Sequence, residues 1–132
     1  MKILIIDNEA DLRSALASLI VNFNTTPAII QQAEGVEEGI KKINDFLPDI
    51  IFLDIEMEDG TGFDLLKQVS NPSFQLIFTT AHNKYAIQAF KFSAIDYLLN
   101  PIDPVELNNS LQKAKENISS QILQKQLAVL LQ

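Results

Sequence analysis

Five polar residues follow or close short apolar runs of the sequence: Asp7, Asn8, Asp54, Thr80 and Asn100. Each run is continuous and rich in β-branched or aromatic residues, which is typical of a strand that is buried on both faces. The carboxyl ends of parallel strands meet at one edge of a sheet, where open α/β proteins bind their ligands. We therefore expect the five side chains to lie close together.

The oxygen atoms of this group suit a hard divalent cation. Two or three carboxylic oxygens, with a backbone carbonyl from the loop after Asp54, match Mg²⁺ better than Ca²⁺ or Zn²⁺ because Mg²⁺ keeps several waters. Such a cation would relieve the repulsion between crowded carboxylates and neutralise an incoming phosphoryl group. Asp54 is then a candidate nucleophile that accepts phosphate.

Strands and helices alternate five times along the chain. The central strand is predicted at Ile50-Ile51-Phe52-Leu53 and a weaker one at Ala28-Ile29-Ile30, and a helix with one apolar face is predicted from Leu12 to Phe23. A break is predicted over residues 22–27, and Asn71-Pro72 is predicted to end the third helix. Strict alternation with short connections predicts an α/β fold with a doubly wound, five-stranded parallel sheet and helices on both faces.

Length and composition indicate one compact domain. The 132 residues are 47% hydrophobic, carry a net charge of −7 and include no cysteine, which excludes disulfides and cysteine-ligated metals. The negative charge disfavours contact with nucleic acid, so a DNA-binding output would lie beyond Gln132. Without a run of about 18 apolar residues or a signal-peptide pattern, we expect a soluble, cytoplasmic protein that does not contact a membrane.

Four short segments resemble the receiver domains of two-component response regulators. They are Ile5-Ile6-Asp7-Asn8-Glu9, Phe52-Leu53-Asp54-Ile55-Glu56-Met57, Thr79-Thr80-Ala81 and Asp96-Tyr97-Leu98-Leu99-Asn100-Pro101. They occur in the family's order and cover residues 1 to about 118. The segments around Thr80 and Tyr97 are most similar to the LytTR-type (LytR/AlgR) subgroup. The resemblance implies a flavodoxin-like, CheY-like (βα)5 fold.

The resemblance implies how phosphate and metal would be bound. Asp54 would accept a phosphoryl group from a sensor histidine kinase. Mg²⁺ would lie between Asp54, the Asp7-Asn8 pair and the backbone carbonyl of Glu56.

The resemblance also implies a route for the signal. Thr80 would bind the phosphoryl group and move inward, and Tyr97 would follow by changing its rotamer. The domain would be a two-state switch and not an enzyme, it could form a homodimer, and it would control an output domain.

Three residues depart from the family's pattern. Asn8 stands where a second metal-binding acid is usual, Asn100 where a lysine precedes the proline, and Glu58 where a proline is usual. Asn100 can donate a hydrogen bond to a phosphoryl oxygen, but it is shorter than lysine and uncharged. Asn100-Pro101 is also a candidate for a cis peptide bond.

The last predicted helix begins at Pro104 and continues beyond the sheet. Its apolar stripe runs through Ile118 to Leu130 or Leu131, in a segment with few charges. We expect a receiver domain over residues 1–118 and a helical extension or linker over 119–132, which either frays or packs against a second copy or another domain.

Rival functions remain open at the level of sequence. An interaction domain of receiver fold that is not phosphorylated, here called a pseudo-receiver, would explain Asn8 and Asn100. A flavin phosphate binder would need a phosphate loop rich in glycine and hydroxyl residues after the first strand, where Asp7-Asn8-Glu9 has the wrong charge. A phosphoester hydrolase would need a second acid or base near Asp54. His82, the single histidine, is interpreted as a structural or solvated residue at the mouth of the site.

Overall fold

A fully parallel, five-stranded sheet forms the centre of the protein. The computed structural model describes residues 1–23, 27–70 and 72–132. The strands are β1 (Lys2–Ile6), β2 (Ile29–Ala33), β3 (Ile50–Asp54), β4 (Gln75–Thr80) and β5 (Asp96–Leu99). Their order in the sheet is β2-β1-β3-β4-β5. This is the order of a flavodoxin-like doubly wound sheet, so the predicted fold class is confirmed.

Helices connect the strands and cover both faces of the sheet. They are α1 (Ala10–Phe23), α2 (Val36–Phe46), α3 (Gly62–Lys67), α4 (Ala86–Lys91) and α5 (Pro104–Leu130). A 3₁₀ turn, Asn83–Tyr85, precedes α4, and a small antiparallel hairpin of Glu56–Met57 with Gly60–Thr61 lies between β3 and α3. Within the described ranges, no helix is both long enough and apolar enough to span a membrane.

Two apolar cores lie on opposite faces of the sheet. Ile3 and Ile5 of β1 pack with α1 and α5, whereas Leu4 and Ile6 pack with α2, α3 and α4. Successive side chains of a strand point to opposite faces, so a strand covered on both sides must be apolar throughout. The central strand β3 meets this requirement, because residues 50–53 are all 0% exposed. It therefore holds the residue at its end, Asp54, in a fixed position.

Side-chain caps fix the loops at the carboxyl edge of the sheet. Asp59 accepts hydrogen bonds from the backbone N–H groups of Val36 (2.8 Å) and Glu37 (3.1 Å), which ties the loop after β3 to the start of α2. These two bonds hold the pKa of the Asp59 carboxyl below its usual value. Thr61 and Asp64 form a capping box at the start of α3. The second half of the loop that follows Asp54 is therefore anchored at Asp59 and at Thr61.

Two local predictions from the sequence are wrong. β2 continues to Ala33, three residues beyond its predicted end, because β1 pairs with it along its whole length despite the polar Gln31 and Gln32. The spacing of apolar residues predicts Ala15 on the apolar face of α1, but Ala15 is exposed, and Ala17 packs against the core in its place.

Two predicted breaks fall on residues for which no structure is described. Residues 24–26 of the break predicted over 22–27, and Asn71 of the helix end predicted at Asn71-Pro72, lie outside the described part of the chain. The remaining strands and helices occur where the sequence predicts them, within a few residues.

Candidate functional site

Four of the five polar residues predicted to meet line one cavity at the carboxyl edge of the sheet, whereas Asp7, a neighbour of Asp54, is not part of this lining. Its volume is about 300 Å³, and its lining residues are Asn8, Glu9, Leu12, Asp54, Glu56, Thr80, Ala81, His82 and Asn100. A larger cavity of about 600 Å³ lies beside it and shares Asn8, but that cavity is walled mainly by acids such as Glu34 and Glu37 and does not include Asp54. The smaller cavity is therefore the candidate site.

The register of the strands explains why these residues meet. Ile6 of β1 pairs with Leu53 of β3, so the residues that follow, Asp7 and Asp54, are neighbours on adjacent strands. Asp54 in turn pairs with Thr79 of β4, which places the end of β4 beside it. The prediction that the polar residues after the strands converge at one edge is confirmed.

Asp54 is a buried carboxyl at the end of β3. Only 8% of the residue is exposed. Burial raises its pKa to about 7, and the nearby carboxylate of Asp7 adds to the effect, while hydrogen bonds from the backbone N–H groups of Ile55 and Glu56 oppose it. Gly62 lies against the backbone here, and a Cβ atom at that position would come within 2.6 Å of the Asp54 carbonyl oxygen. The chain is thus packed closely against the backbone of Asp54.

The turn after β1 holds a second buried acid. Asp7 is 4% exposed, and its Oδ1 atom accepts a hydrogen bond of 2.8 Å from the backbone N–H of Glu9. Arg13 donates to the backbone carbonyl of Asp7 at 2.6 Å, which fixes the turn without placing its guanidinium in the cavity lining. The pKa of Asp7 is raised, first by burial. Asn8, the next residue, lines the cavity.

Thr80 and Asn100 form the opposite wall of the cavity. Thr80 is 1% exposed at the end of β4. The backbone N–H of Asn100 donates a hydrogen bond of 2.7 Å to the Thr80 carbonyl, which continues the β4–β5 ladder into the site. The Asn100-Pro101 peptide bond is cis, as the sequence predicts. Among the described residues, no lysine or arginine side chain belongs to this cavity lining.

The acids of the site fit a hydrated divalent cation. Among the described residues, no group of three or more His, Cys, Asp or Glu side chains could hold a metal. A cation would therefore depend on two carboxylates, uncharged oxygens and water, which is how Mg²⁺ is commonly held. Burial raises the pKa values of Asp7 and Asp54, so a cation bound beside them would favour their ionised forms.

The mouth of the cavity contains contacts that the sequence did not reveal. The side chain of Glu56 accepts a hydrogen bond from the Tyr85 hydroxyl, and its Oε2 atom lies 3.1 Å from Nε2 of His82. Nζ of Lys84 lies 4.0 Å from the same carboxylate. From the sequence, we expected only the backbone carbonyl of Glu56 to matter. No sequence spacing predicts these contacts, because they join residues 26 to 29 positions apart across two loops.

Tyr97 stands behind this mouth rather than in the cavity lining. Its ring packs against the core formed with α2, α3 and α4, and its hydroxyl donates to the backbone carbonyl of His82. Burial raises the pKa of the Tyr97 hydroxyl. In this conformation, the hydroxyl of the residue predicted to switch is bonded to the loop that follows Thr80.

A parallel sheet of order 2-1-3-4-5, with a ligand-sized cavity at its carboxyl edge, is typical of the flavodoxin-like class of α/β proteins. The sequence model of the response regulator receiver domain family matches residues 3–112. The chain belongs to this family. It is a receiver domain of the two-component response regulator type, as the sequence motifs predict.

Relatives and solved structures agree with this assignment. An uncharacterized response regulatory protein of Vibrio parahaemolyticus is 38% identical over 128 residues, which are 96% of this chain and 52% of that protein. Sensory transduction protein LytT of Bacillus anthracis is 37% identical over 129 residues, again 96% of this chain and 52% of that protein. The receiver domain of AraT, a response regulator from Geobacillus stearothermophilus, has a TM-score of 0.79 and 29% identity, with 91% of this chain and 96% of that chain covered.

The LytT relative is consistent with the predicted LytTR-type subgroup. The chain spans about half the length of the curated relatives it matches.

Proposed function

We propose that Asp54 is the phosphoacceptor of this receiver domain and that a sensor histidine kinase is its phosphodonor. The observation that carries this proposal is the position of Asp54, a buried carboxyl that lines a cavity together with Thr80 and Asn100. An Oδ atom of Asp54 attacks phosphorus, the bond from phosphorus to the donor's imidazole nitrogen breaks, and an acyl phosphate forms. The donor's histidine keeps the electron pair of the broken bond.

Mg²⁺ is the proposed cofactor of this transfer. Asp7, Asn8, Asp54 and the backbone carbonyl of Glu56 would hold it. When bound, the cation neutralises negative charge on the carboxylates and on the transferred group. Asn8 replaces a carboxylate by an amide, so we expect weaker binding than in a site with three acids. Glu9 also lines the cavity and could contribute through a water molecule.

Thr80 and Tyr97 are the proposed switch residues. The Thr80 hydroxyl would donate to the phosphoryl group, and Tyr97 would respond through the loop that joins them. The contacts of this loop support the proposal, because His82 accepts from the Tyr97 hydroxyl and its own N–H donates to Oγ1 of Thr80 at 3.3 Å. Asn100 would donate from its amide where a lysine is usual.

Residues 1–118 form the proposed receiver unit, and residues 119–132 a linker toward an output domain. The relatives are about twice as long as this chain, and α5 continues to Leu130 with every residue from 121 onward exposed.

We propose that the output domain, and not this acidic unit, contacts DNA. A domain that receives phosphate from a kinase using ATP would act in the cytoplasm.

A homodimer is the proposed form of the phosphorylated domain. Large exposed apolar residues surround the edge strand β5, and they are Ile87 and Phe90 on α4, Leu99 on β5 and Val105 on α5. They would pack against the same surface of a second copy.

Intact mass measurement tests the proposed acceptor. Incubation with acetyl phosphate and Mg²⁺ should add one phosphoryl group to the wild type and none to Asp54→Ala. An equal gain in both proteins would place the acceptor elsewhere.

The pseudo-receiver is the second candidate function. It is favoured by a single observation: in the part of the chain that the structure describes, no lysine or arginine lines the cavity. If the folded wild type gains no phosphoryl group from acetyl phosphate, this second candidate replaces the first.

A further inference from the structure

His82 joins the proposed phosphorylation site to the proposed switch residue. Its side chain lines the cavity with Asp54, and its Nε2 atom lies 3.1 Å from the carboxylate of Glu56. Its backbone contacts both Thr80 and Tyr97, through the N–H and the carbonyl respectively. Tyr85 also contacts both Glu56 and Tyr97, but it does not line the cavity.

The cavity is rich in negative charge, so a phosphoryl group bound there would need a hydrogen-bond donor. Three carboxylates line the cavity, those of Glu9, Asp54 and Glu56, and Asn100 supplies only a neutral amide. A phosphoryl group on Asp54 would add further negative charge beside Glu56. Phosphoryl oxygens and carboxylate oxygens accept hydrogen bonds from the same kinds of donor. An imidazole N–H that already faces a carboxylate at the mouth is therefore suited to a phosphoryl oxygen.

If the contact between Glu56 and His82 breaks, the Glu56 carboxylate still has other partners. The Tyr85 hydroxyl donates to its carboxylate, and Nζ of Lys84 lies 4.0 Å away. The contact between Glu56 and His82 is also partly exposed, with 45% and 48% of the two side chains accessible. An exchange of partners at this position breaks one solvent-accessible contact and makes one new hydrogen bond.

We propose that His82 is a phosphoryl-binding residue that exchanges Glu56 for a phosphoryl oxygen when Asp54 is phosphorylated. Its backbone carbonyl carries the movement to Tyr97. The proposal rests on the proposed function of Asp54. In this proposal, His82 supplies part of the hydrogen bonding to the phosphoryl group that the uncharged amide of Asn100 cannot supply alone.

Nuclear magnetic resonance of the imidazole tests the exchange directly, because His82 is the single histidine of the chain. The full 132-residue protein with Mg²⁺ is titrated with beryllofluoride, a stable analogue of the phosphoryl group. Binding should shift the ring nitrogen signals of His82 and the ring signals of Tyr97 in the wild type.

Three variants separate a binding role from a structural one. His82→Ala should bind beryllofluoride about tenfold more weakly, the effect of losing one hydrogen bond to a charged group, and should lose the response of Tyr97. His82→Gln should recover most of the affinity through its amide N–H. Lys91→Ala is the control, because it removes a lysine at an exposed position of α4 outside the cavity lining, and it should bind like the wild type.

Two different failures can be distinguished. If the wild type binds beryllofluoride but the His82 ring signals do not move and His82→Ala binds equally well, the role of His82 is wrong and that of Asp54 stands. If the wild type neither binds beryllofluoride nor gains mass with acetyl phosphate, the proposed function fails and the role of His82 fails with it.

Discussion

Asp7 and Asp54 are neighbours at the ends of adjacent strands, and each has a pKa above that of an ordinary aspartic acid. Burial is the main cause for both, and the carboxylate of Asp7 further raises the pKa of Asp54. The fold thus holds two acids together in a place where their ionised forms are unfavourable. A site with this property costs the folded state free energy unless a cation occupies it.

Without metal, Asp54→Asn should stabilise the fold at high pH. The pKa of Asp54 is about 7 in the folded protein against an ordinary value of 3.8, so the folded state binds the proton more tightly than the unfolded state does. Proton binding to Asp54 therefore stabilises the folded state. This stabilisation is fully present below about pH 3.8 and is lost as the pH rises to about 7. At pH 8 the free energy of unfolding should be ~2 kcal/mol higher for the variant, with little difference at pH 4.

Urea unfolding in the presence of a chelator measures this difference at the two pH values. Asp45→Asn, at an exposed position of α2, is the control for the removal of one carboxyl group. An effect of Asp54→Asn that is the same at pH 4 and pH 8 would contradict the raised pKa.

Mg²⁺ should stabilise the wild-type protein at pH 8. If the dissociation constant is about 1 mM, 10 mM Mg²⁺ raises the free energy of unfolding by about 1.4 kcal/mol through preferential binding to the folded state. Asp7→Asn and Asp54→Asn should each lose most of this gain, whereas Asp45→Asn should keep it. The comparison needs sodium chloride of equal ionic strength as its reference, and a gain that survives in Asp54→Asn would argue against the proposed metal ligands.

Restoring a lysine at position 100 should strengthen the coupling between phosphorylation and dimerisation. Its ammonium would reach the phosphoryl oxygens with a full positive charge, which the Asn100 amide lacks. Sedimentation of the protein before and after treatment with acetyl phosphate should show a shift toward dimer that is up to about tenfold larger in Asn100→Lys. Asn44→Lys, on the exposed side of α2, adds the same charge elsewhere and should behave like the wild type. Equal shifts in all three proteins would exclude Asn100 as the weak point of the coupling.

Gly62→Ala should damage both the stability and the site. The added Cβ atom would meet the Asp54 carbonyl oxygen at 2.6 Å and Cγ of Leu53 at 3.1 Å, so the backbone next to the acceptor must shift. We expect a loss of ~1–3 kcal/mol in the free energy of unfolding, together with slower phosphoryl uptake. Ser18→Ala, at an exposed position of α1, should change neither quantity. A Gly62→Ala protein with wild-type stability would show that this contact is unimportant.

The fold could be predicted because its decisive strands are buried on both faces. Ile3–Ile6 and Ile50–Leu53 are apolar without interruption, which is what a strand between two layers of helices requires. The sequence does not predict the end of β2, because this strand is not buried on both faces. β2 lies at the edge of the sheet, and Ile29 is 59% exposed, so its sequence carries little apolar pattern while its pairing with β1 determines its length.

The convergence of the site could also be predicted, but not the contacts at its mouth. Asp7 and Asp54 follow strands, and the topology alone brings such residues to one edge. The contacts of Glu56 with His82 and Tyr85 depend on the shape of two loops, which no periodicity in the sequence encodes. The raised pKa of Asp54 likewise depends on burial in the folded state and not on its neighbours in the sequence.

Chemical trapping of the phosphorylated residue tests the central claim most directly. Borohydride reduces an acyl phosphate of aspartate to homoserine, so peptide mapping after treatment with acetyl phosphate, Mg²⁺ and borohydride identifies the acceptor. We predict homoserine at position 54 alone, dependent on Mg²⁺. Homoserine at another aspartate, or at none while the protein remains folded, would contradict the assignment of Asp54 as the phosphoacceptor.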